Sequence, residues 1–445
     1  MSNRTRHHRL SRGDRRRNEK LARLREVVAR DLAIVGIDLA DARQVAVVAD
    51  HDSRVLGKRS FAGSAWVAAD ILAWAEPVAR AAGFGGVVLA CEPTGHRWKP
   101  VLQVAREAGV GMVCVQPLLV HRAREGEDFT KDRSDPRDAT IISRLAAELR
   151  CYVPVAEEGG WARLRHLGQR RAGLVTQATA ARQALRDLLA CGWPAALGAA
   201  AKPLGSTTWR AAMAACQADP AVVRAMDEEA FLAAVGAEVP RWGAKRRNLR
   251  IARAIYAAAW DPGGLEWEAE AACERASFAL SDWARALDAL VEVEAAMVAT
   301  LDDLGLTPWV TTIPGLSAPG AAAILAETGD PARYDCARTW VKHAGLCPRA
   351  NESGAYRGQT TVSGRGRPNL RTAAWRAIWG ALPHNSVYRA RYAHLTTRSA
   401  NPLTPAQARA ALAGSLLRQL YVVVTARVAW DPATASGATR EEVAA

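Results

Sequence analysis

The 445-residue sequence predicts an α/β domain followed by a longer all-α region. Three observations carry this. Apolar runs of strand periodicity fill residues 33 to 116, helical three-four spacing dominates from about 160 to 305, and a Gly-, Ser- and Arg-rich stretch near 350 interrupts a further helical part that opens near 306. The chain is also too long for one compact core, so two or three domains are expected.

Residues 1–30 form a basic N-terminal extension whose second half, RNEKLARLREVVAR, has helical spacing. Residues 31–155 form the α/β domain. AIVGIDLA, QVAVVAD and RVLGKRSFAG are separated by short polar pieces and read as three antiparallel strands. A helix over SAWVAADILAWAEPVARAAG, the strand GVVLACE, the helix HRWKPVLQVAREAG, the strand GMVCVQ and a helix opening at Pro136 follow. Helical crossovers make the later strands parallel. This is the element order of RNase H-like nuclease folds, in which the first strand pairs with the fourth and Asp38 becomes a near neighbour of Glu92.

Residues 156–305 read as helix with an insert. Positions 164, 167, 171, 174, 178, 181, 185 and 188 form one seam, and 276, 280, 283, 287, 290, 294, 297, 301 and 304 a second, interrupted by Arg171 and Glu294 respectively. Such seams signal a coiled coil, as an antiparallel hairpin or an oligomer contact, or else ordinary bundle core. In a shared coiled coil, Arg171 and Glu294 would offset each other's burial, within the chain or across a dimer. The segment from about 192 to 262 has weak periodicity and receives no assignment. Residues 306–430 form a helical C-terminal domain opening with a helix-hairpin-helix-like element. There Pro314-Gly315 makes the turn, with backbone amides suited to a DNA phosphate. Residues 431–445 are a tail of disorder-like composition.

A net charge of +14 and a pI near 9.8 point to a polyanionic partner, nucleic acid first. No apolar run approaches the roughly 20 residues a membrane helix needs. The basic start lacks the apolar core of a secretory signal, so a cytoplasmic protein is expected. Eight cysteines show no C-x-x-C pair and no zinc spacing, and read as reduced, mostly buried small residues.

Against this basic background four carboxylates stand out. Asp38 ends IVGID, Glu92 ends VVLACE, and Asp135 and Asp138 lie in RSDPRDA. Together they can hold two divalent ions, magnesium by preference with manganese able to substitute, because hard ions take carboxylate and phosphate oxygens in one shell. S-D-P-R-D is equally a good helix start, with Ser134 or Asp135 as cap, Pro136 in the first turn and Asp138 suiting the helix dipole. The position of Asp38 and Glu92 at strand ends of the same sheet favours the metal reading. Asp128 and Asp132 lie within reach as possible helpers. Further on, Lys342, His343, Arg349, Arg357, Arg365, Arg367 and Arg371 crowd one segment whose guanidinium groups suit phosphate oxygens. Ser353 and Ser363 there are both S-G serines that a simple turn would also explain.

The segments GIDLA, EPTGHRWKPVLQVAREAGVGMVCVQP and KDRSDPRDATIISRLA resemble the DEDD-motif transposases of insertion sequence one-ten and its eleven-eleven relatives. PRANESGAYRGQTTVSGRGRPNLR resembles that family's second conserved domain. The resemblance covers roughly 33 to 190 and 305 to 425. It implies a RuvC-like domain whose metal-binding acids are Asp38, Glu92, Asp135 and Asp138, and a C-terminal transposase domain with Ser353 as nucleophile. It also implies a phosphoserine link to DNA, donor and target double-stranded DNA, homodimers assembling to tetramers, and an element-encoded noncoding bridge RNA that reads sequence by base pairing. Other readings are a Piv-like invertase, a RuvC-like structure-selective nuclease using water, and a non-catalytic nucleic-acid-binding protein.

Overall fold

The structure is a computed structural model that describes residues 10–64, 67–127, 134–157, 159–349, 351–353, 356–358 and 360–436. The chain divides into two compact units, Met1–Ala156 and Glu157–Ala445. Among the described residues no helix is long and apolar enough to cross a membrane.

The first unit contains α1 (Arg12–Val27), β1 (Leu32–Asp38), β2 (Arg43–Ala49), β3 (Val55–Ala62), α2 (Val67–Ala81), β4 (Gly86–Cys91), α3 (Trp98–Glu107), β5 (Met112–Cys114), α4 (Pro117–Glu127) and α5 (Asp135–Ala147). The strands form one sheet in the order β3-β2-β1-β4-β5. β1, β2 and β3 are antiparallel, whereas β1, β4 and β5 run parallel, so the first strand does pair with the fourth. Two features go beyond the sequence reading. Helix α4 is unexpected, because its apolar face is only Leu119, Val120 and Ala123 amid charge. The basic extension is also partly core, since Leu24 of α1 and Val28 at its end are buried against the sheet.

Strand periodicity divides this sheet into two faces. Ala33, Val35 and Ile37 of β1, with Val87, Leu89 and Cys91 of β4, face α2 and α3. The alternate residues Ile34, Val88 and Ala90 pack with α1, α4 and α5. Gly36 lets α5 come close on that second face. A Cβ at Gly36 would run into the carbonyl oxygen of Ala139 and lie within 3.0 Å of Ser143 atoms.

The second unit is helical apart from two small ribbons. Helix α6 (Gly159–Gly192) and a 35-residue helix ending at Asp303 form an antiparallel hairpin. The unassigned segment between them folds as a small helical domain of α7 (Pro194–Gly198), α8 (Thr207–Ala215), α9 (Pro220–Arg224), α10 (Glu228–Glu238) and α11 (Leu249–Ala258), after which α12 (Ala269–Asp303) returns. Trp193, Trp209 and Phe231 are fully buried in its core. Its helices are too short to show a seam, which is why periodicity missed them.

Arg171 and Glu294 pair within this hairpin, with Arg171 Nε donating to Glu294 Oε1 at 2.8 Å. Both side chains are partly exposed, at 22% and 32%. The two seam interruptions therefore offset each other inside one chain. Arg171→Leu alone is expected to cost about 1 kcal/mol by stranding the carboxylate, and the Arg171→Leu/Glu294→Leu pair to recover most of that. Thermal denaturation checks this, and equal losses in the single and double variants would contradict it.

The C-terminal part contains α13 (Thr307–Val310), α14 (Ala318–Thr328), α15 (Ala337–His343), α16 (Pro368–His384), α17 (Ser386–Thr397), α18 (Pro405–Ala426) and α19 (Pro432–Ser436) around a core that includes Trp340, Tyr388 and Leu416. Between α15 and α16 lie β6 (Pro348–Arg349), β7 (Glu352–Ser353), β8 (Tyr356–Arg357) and β9 (Thr361–Val362). The expected helix-hairpin-helix turn differs in detail from the sequence reading. Helix α13 is a single turn, and Gly315, at φ +77°, lies so close to Gly380 and Ala381 that no Cβ would fit. Ser317 Oγ already accepts from the Gly320 amide, which leaves that amide unavailable to a phosphate.

Candidate metal centre and serine arm

The period-two alternation that builds the sheet also places its acids. Asp38 follows Ile34 and Gly36 on the α5 face of β1, and Glu92 follows Val88 and Ala90 on the same face just past the end of β4. The β1–β4 register pairs Ile37 with Cys91, so the next residues in line are Asp38 and Glu92. Apolar core ends at that point in both strands. Pro136 in the first turn starts α5 and sets Asp135 and Asp138 one turn apart on a single helix face. Gly36 allows this end of α5 to lie against β1.

Asp38 feels the charges of the other three carboxylates. Burial, and then the charges of Asp138, Asp135 and Glu92, push the Asp38 carboxyl up to about 6 despite the opposing pull of Arg124. Glu92 is also raised, by burial first and by Asp138, while a hydrogen bond from Thr94 Oγ1 at 3.3 Å and the Arg124 charge act the other way. Arg124, on the unexpected helix α4, donates from Nε at 2.8 Å and from a terminal guanidinium nitrogen at 2.5 Å to the two oxygens of Asp138. Sequence reading missed both Arg124 and Gly36. The only signal for Arg124 was a proline straight after a strand with three apolar residues at helical spacing behind it.

Among the described residues no three His, Cys, Asp or Glu side chains converge closely enough to hold an ion as they stand. Arg124 accounts for part of this, because it takes both oxygens of Asp138. In charge and donor type the set nonetheless fits a hard divalent ion. It offers hard oxygens, an excess of negative charge over one guanidinium, and a repulsion that a cation would relieve. Asp38, Glu92, Asp135 and Asp138 would hold such an ion once Asp138 leaves Arg124. Asp128 and Asp132 lie outside the described residues.

Competition between the guanidinium and the ion has a measurable consequence. In Arg124→Met, manganese titrated into the full-length protein at pH 7.5 should bind several-fold more tightly, about 1 kcal/mol, and weaker binding would contradict this. The pH dependence follows from Asp38. Its raised carboxyl is protonated below about pH 6, so metal affinity should fall as the pH drops through that value. Stability without metal has the opposite sign. A carboxyl raised in the folded state contributes stability fully below its unfolded pKa, and that contribution is lost as the pH rises through about 6.

Ser353 and Ser363 have different surroundings. Ser363 is partly buried and occupied, since its Oγ donates to the Gly345 carbonyl at 3.2 Å and accepts from Cys347 Sγ at 3.5 Å. Ser353 is exposed on β7, paired with Tyr356 of β8, and no hydrogen-bond partner holds its hydroxyl among the described residues. A nucleophile must be reachable, and Ser353 is.

The nearby cations also divide. Lys342, Arg349 and Arg365 are exposed. Arg367 is engaged by the buried Glu327, donating from Nε at 2.9 Å. Arg371 donates to the carbonyls of Ala344 and Gly364, bracing the loop backbone. The Arg357 side chain lies outside the described residues. Burial, and then the charges of Arg367, Arg165 and Arg333, lower His343 to about 4, so its ring is neutral at pH 7.

Comparison with known families fits this layout. Residues 35–194, which include the four acids, match the family model for the DEDD transposase domain of the IS110 type. Residues 308–393, which include Ser353, match the transposase model described as the IS116/IS110/IS902 family. No curated protein matches the chain. With two separate models matched in order, one on the acidic half and one on the serine arm, the chain belongs to the IS110 family of transposases.

Proposed function

We propose that this transposase cuts and rejoins DNA strands by attack of Ser353 on the scissile phosphate, assisted by the acids Asp38, Glu92, Asp135 and Asp138. The observation that carries the reading is that Asp38 and Glu92 emerge on the α5 face of a mixed sheet with Asp135 and Asp138 on α5 close enough for their charges to act on Asp38, on a protein with a net charge of +14. Domains of this family typically use divalent ions. Magnesium, as one ion or two, would neutralise phosphate charge here and favour ionisation of an alcohol, and manganese would substitute.

The chain's own residues then have definable tasks. Ser353 Oγ forms a bond to phosphorus, the bond from phosphorus to the strand oxygen breaks, and that oxygen leaves as a free hydroxyl carrying a proton in place of the one lost by the serine. A hydroxyl from another strand reverses the step at the phosphoserine, so strands exchange without an external energy source. Lys342, Arg349, Arg357 and Arg365 hold DNA phosphates beside the arm, while Arg367 and Arg371 keep its base in shape. Homodimers assembling to tetramers, and an element-encoded bridge RNA pairing with donor and target DNA, complete the reading. The resemblance noted in the sequence implies both, and the positive charge suits an RNA partner.

The test is covalent trapping on nicked duplex DNA with magnesium. A detergent-stable adduct that maps to Ser353 is expected. Cleavage with only hydrolysed ends would replace this reading with a nuclease that uses water. RNA retained at moderate salt and sequenced tests guidance, and a preparation active after nuclease has removed all RNA would exclude it.

A further inference from the structure

The small helical domain inserted in the hairpin carries segregated charge. Between residues 239 and 260 lie Arg241, Lys245, Arg246, Arg247, Arg250 and Arg253 and no acid, while the eight acids of residues 193–268 all lie elsewhere. Two of the six cations are neutralised locally. Arg241 pairs with Asp288 at 3.3 Å and Arg253 with Glu228 at 2.8 Å. Lys245, Arg246, Arg247 and Arg250 are exposed, and none has a carboxylate partner among the described residues.

The backbone that presents them is fixed at both ends. Trp242 is buried beside Trp283 with the Arg210 guanidinium over both rings, and Gly243, at φ +83°, turns the chain outward. Five residues on, the Asn248 amide donates to the buried Thr208 Oγ1 at 2.9 Å, and Asn248 Oδ1 caps α11 by accepting from the Arg250 and Ile251 amides. Four like charges crowded on a fixed turn repel one another. Such a surface is costly without an anion and suits a ligand with several phosphates in a row. The positive end of α11 adds to the same field.

We infer that Lys245, Arg246, Arg247 and Arg250 form an accessory surface that clamps the phosphate backbone of duplex DNA, on elements that carry neither the four acids nor Ser353. Duplex DNA is the partner because it is the substrate of the family. The inference rests on that substrate and is independent of serine attack.

The test uses the full-length protein in a Ser353→Ala background, so that a failure of the serine chemistry leaves the binding measurement intact. Lys245→Ala/Arg246→Ala/Arg247→Ala/Arg250→Ala should lower duplex affinity at least tenfold at about 100 mM salt. It should flatten the salt dependence by about 3.6 in the log–log slope, since each phosphate left without its cation removes about 0.9. The paired cations serve as the comparison, and Arg241→Ala/Arg253→Ala should change the slope by less than about 1. Circular dichroism checks that the exposed substitutions leave the fold intact. An unchanged slope overturns the proposal, and so does a loss confined to RNA with duplex DNA binding preserved.

Discussion

Replacing Ser353 by alanine should abolish the covalent DNA adduct and lower strand exchange by at least about 10³-fold, with DNA affinity within a few-fold of the parent. The expectation is asymmetric between two superficially equal serines. Ser353 is exposed on a short ribbon and holds no structural partner among the described residues, so its loss should cost almost no stability. Ser363 links the Gly345 carbonyl and Cys347, so Ser363→Ala should cost about 0.5–1.5 kcal/mol and leave the adduct in place. Adduct mapping and thermal denaturation of both variants decide the matter together. An adduct that survives Ser353→Ala and vanishes in Ser363→Ala would move the nucleophile ten residues along the chain.

What was legible in the sequence had a period. Alternating apolar residues in AIVGIDLA and GVVLACE disclosed both the strands and the face on which Asp38 and Glu92 emerge, because side-chain direction in a strand depends only on parity. The long seams disclosed two long helices with a charged interruption in each, while the structure alone shows that they close as a hairpin within one chain with Arg171 and Glu294 paired. Signals without a period were lost. Helix α4 packs only three apolar residues against the sheet in a charged segment, so its contribution to the centre, Arg124, became visible only when the fold brought it to Asp138. The inserted domain buries its tryptophans through short helices meeting at varied angles, which leaves no repeat in the chain. The different surroundings of Ser353 and Ser363 depend on each hydroxyl's partners, and dipeptide composition holds no information about those.

The geometry of the acidic centre depends on a residue with no side chain, and Gly36→Ala should therefore be among the most damaging single changes in the first unit. The glycine sits in β1 with β2 and β4 bonded on either side, so its backbone cannot retreat. Opposite it are the Ala139 carbonyl and Ser143 on α5, backbone and near-backbone atoms that cannot rotate away as a flexible side chain would. The added methyl must displace α5 itself. Overpacking of this kind costs about 1–3 kcal/mol, and here it also moves Asp138, the immediate neighbour of Ala139, away from Asp38. A shift of about 1 Å in a catalytic group is enough to lower turnover about 100-fold. Asp38→Asn separates the two effects, since it removes one charge from a repelling cluster and should keep or raise stability while DNA cutting is lost. Gly36→Ala should instead lose melting temperature, manganese binding and cutting together. If it cut DNA at the parental rate with unchanged stability, close contact between α5 and β1 would not be what positions these carboxylates.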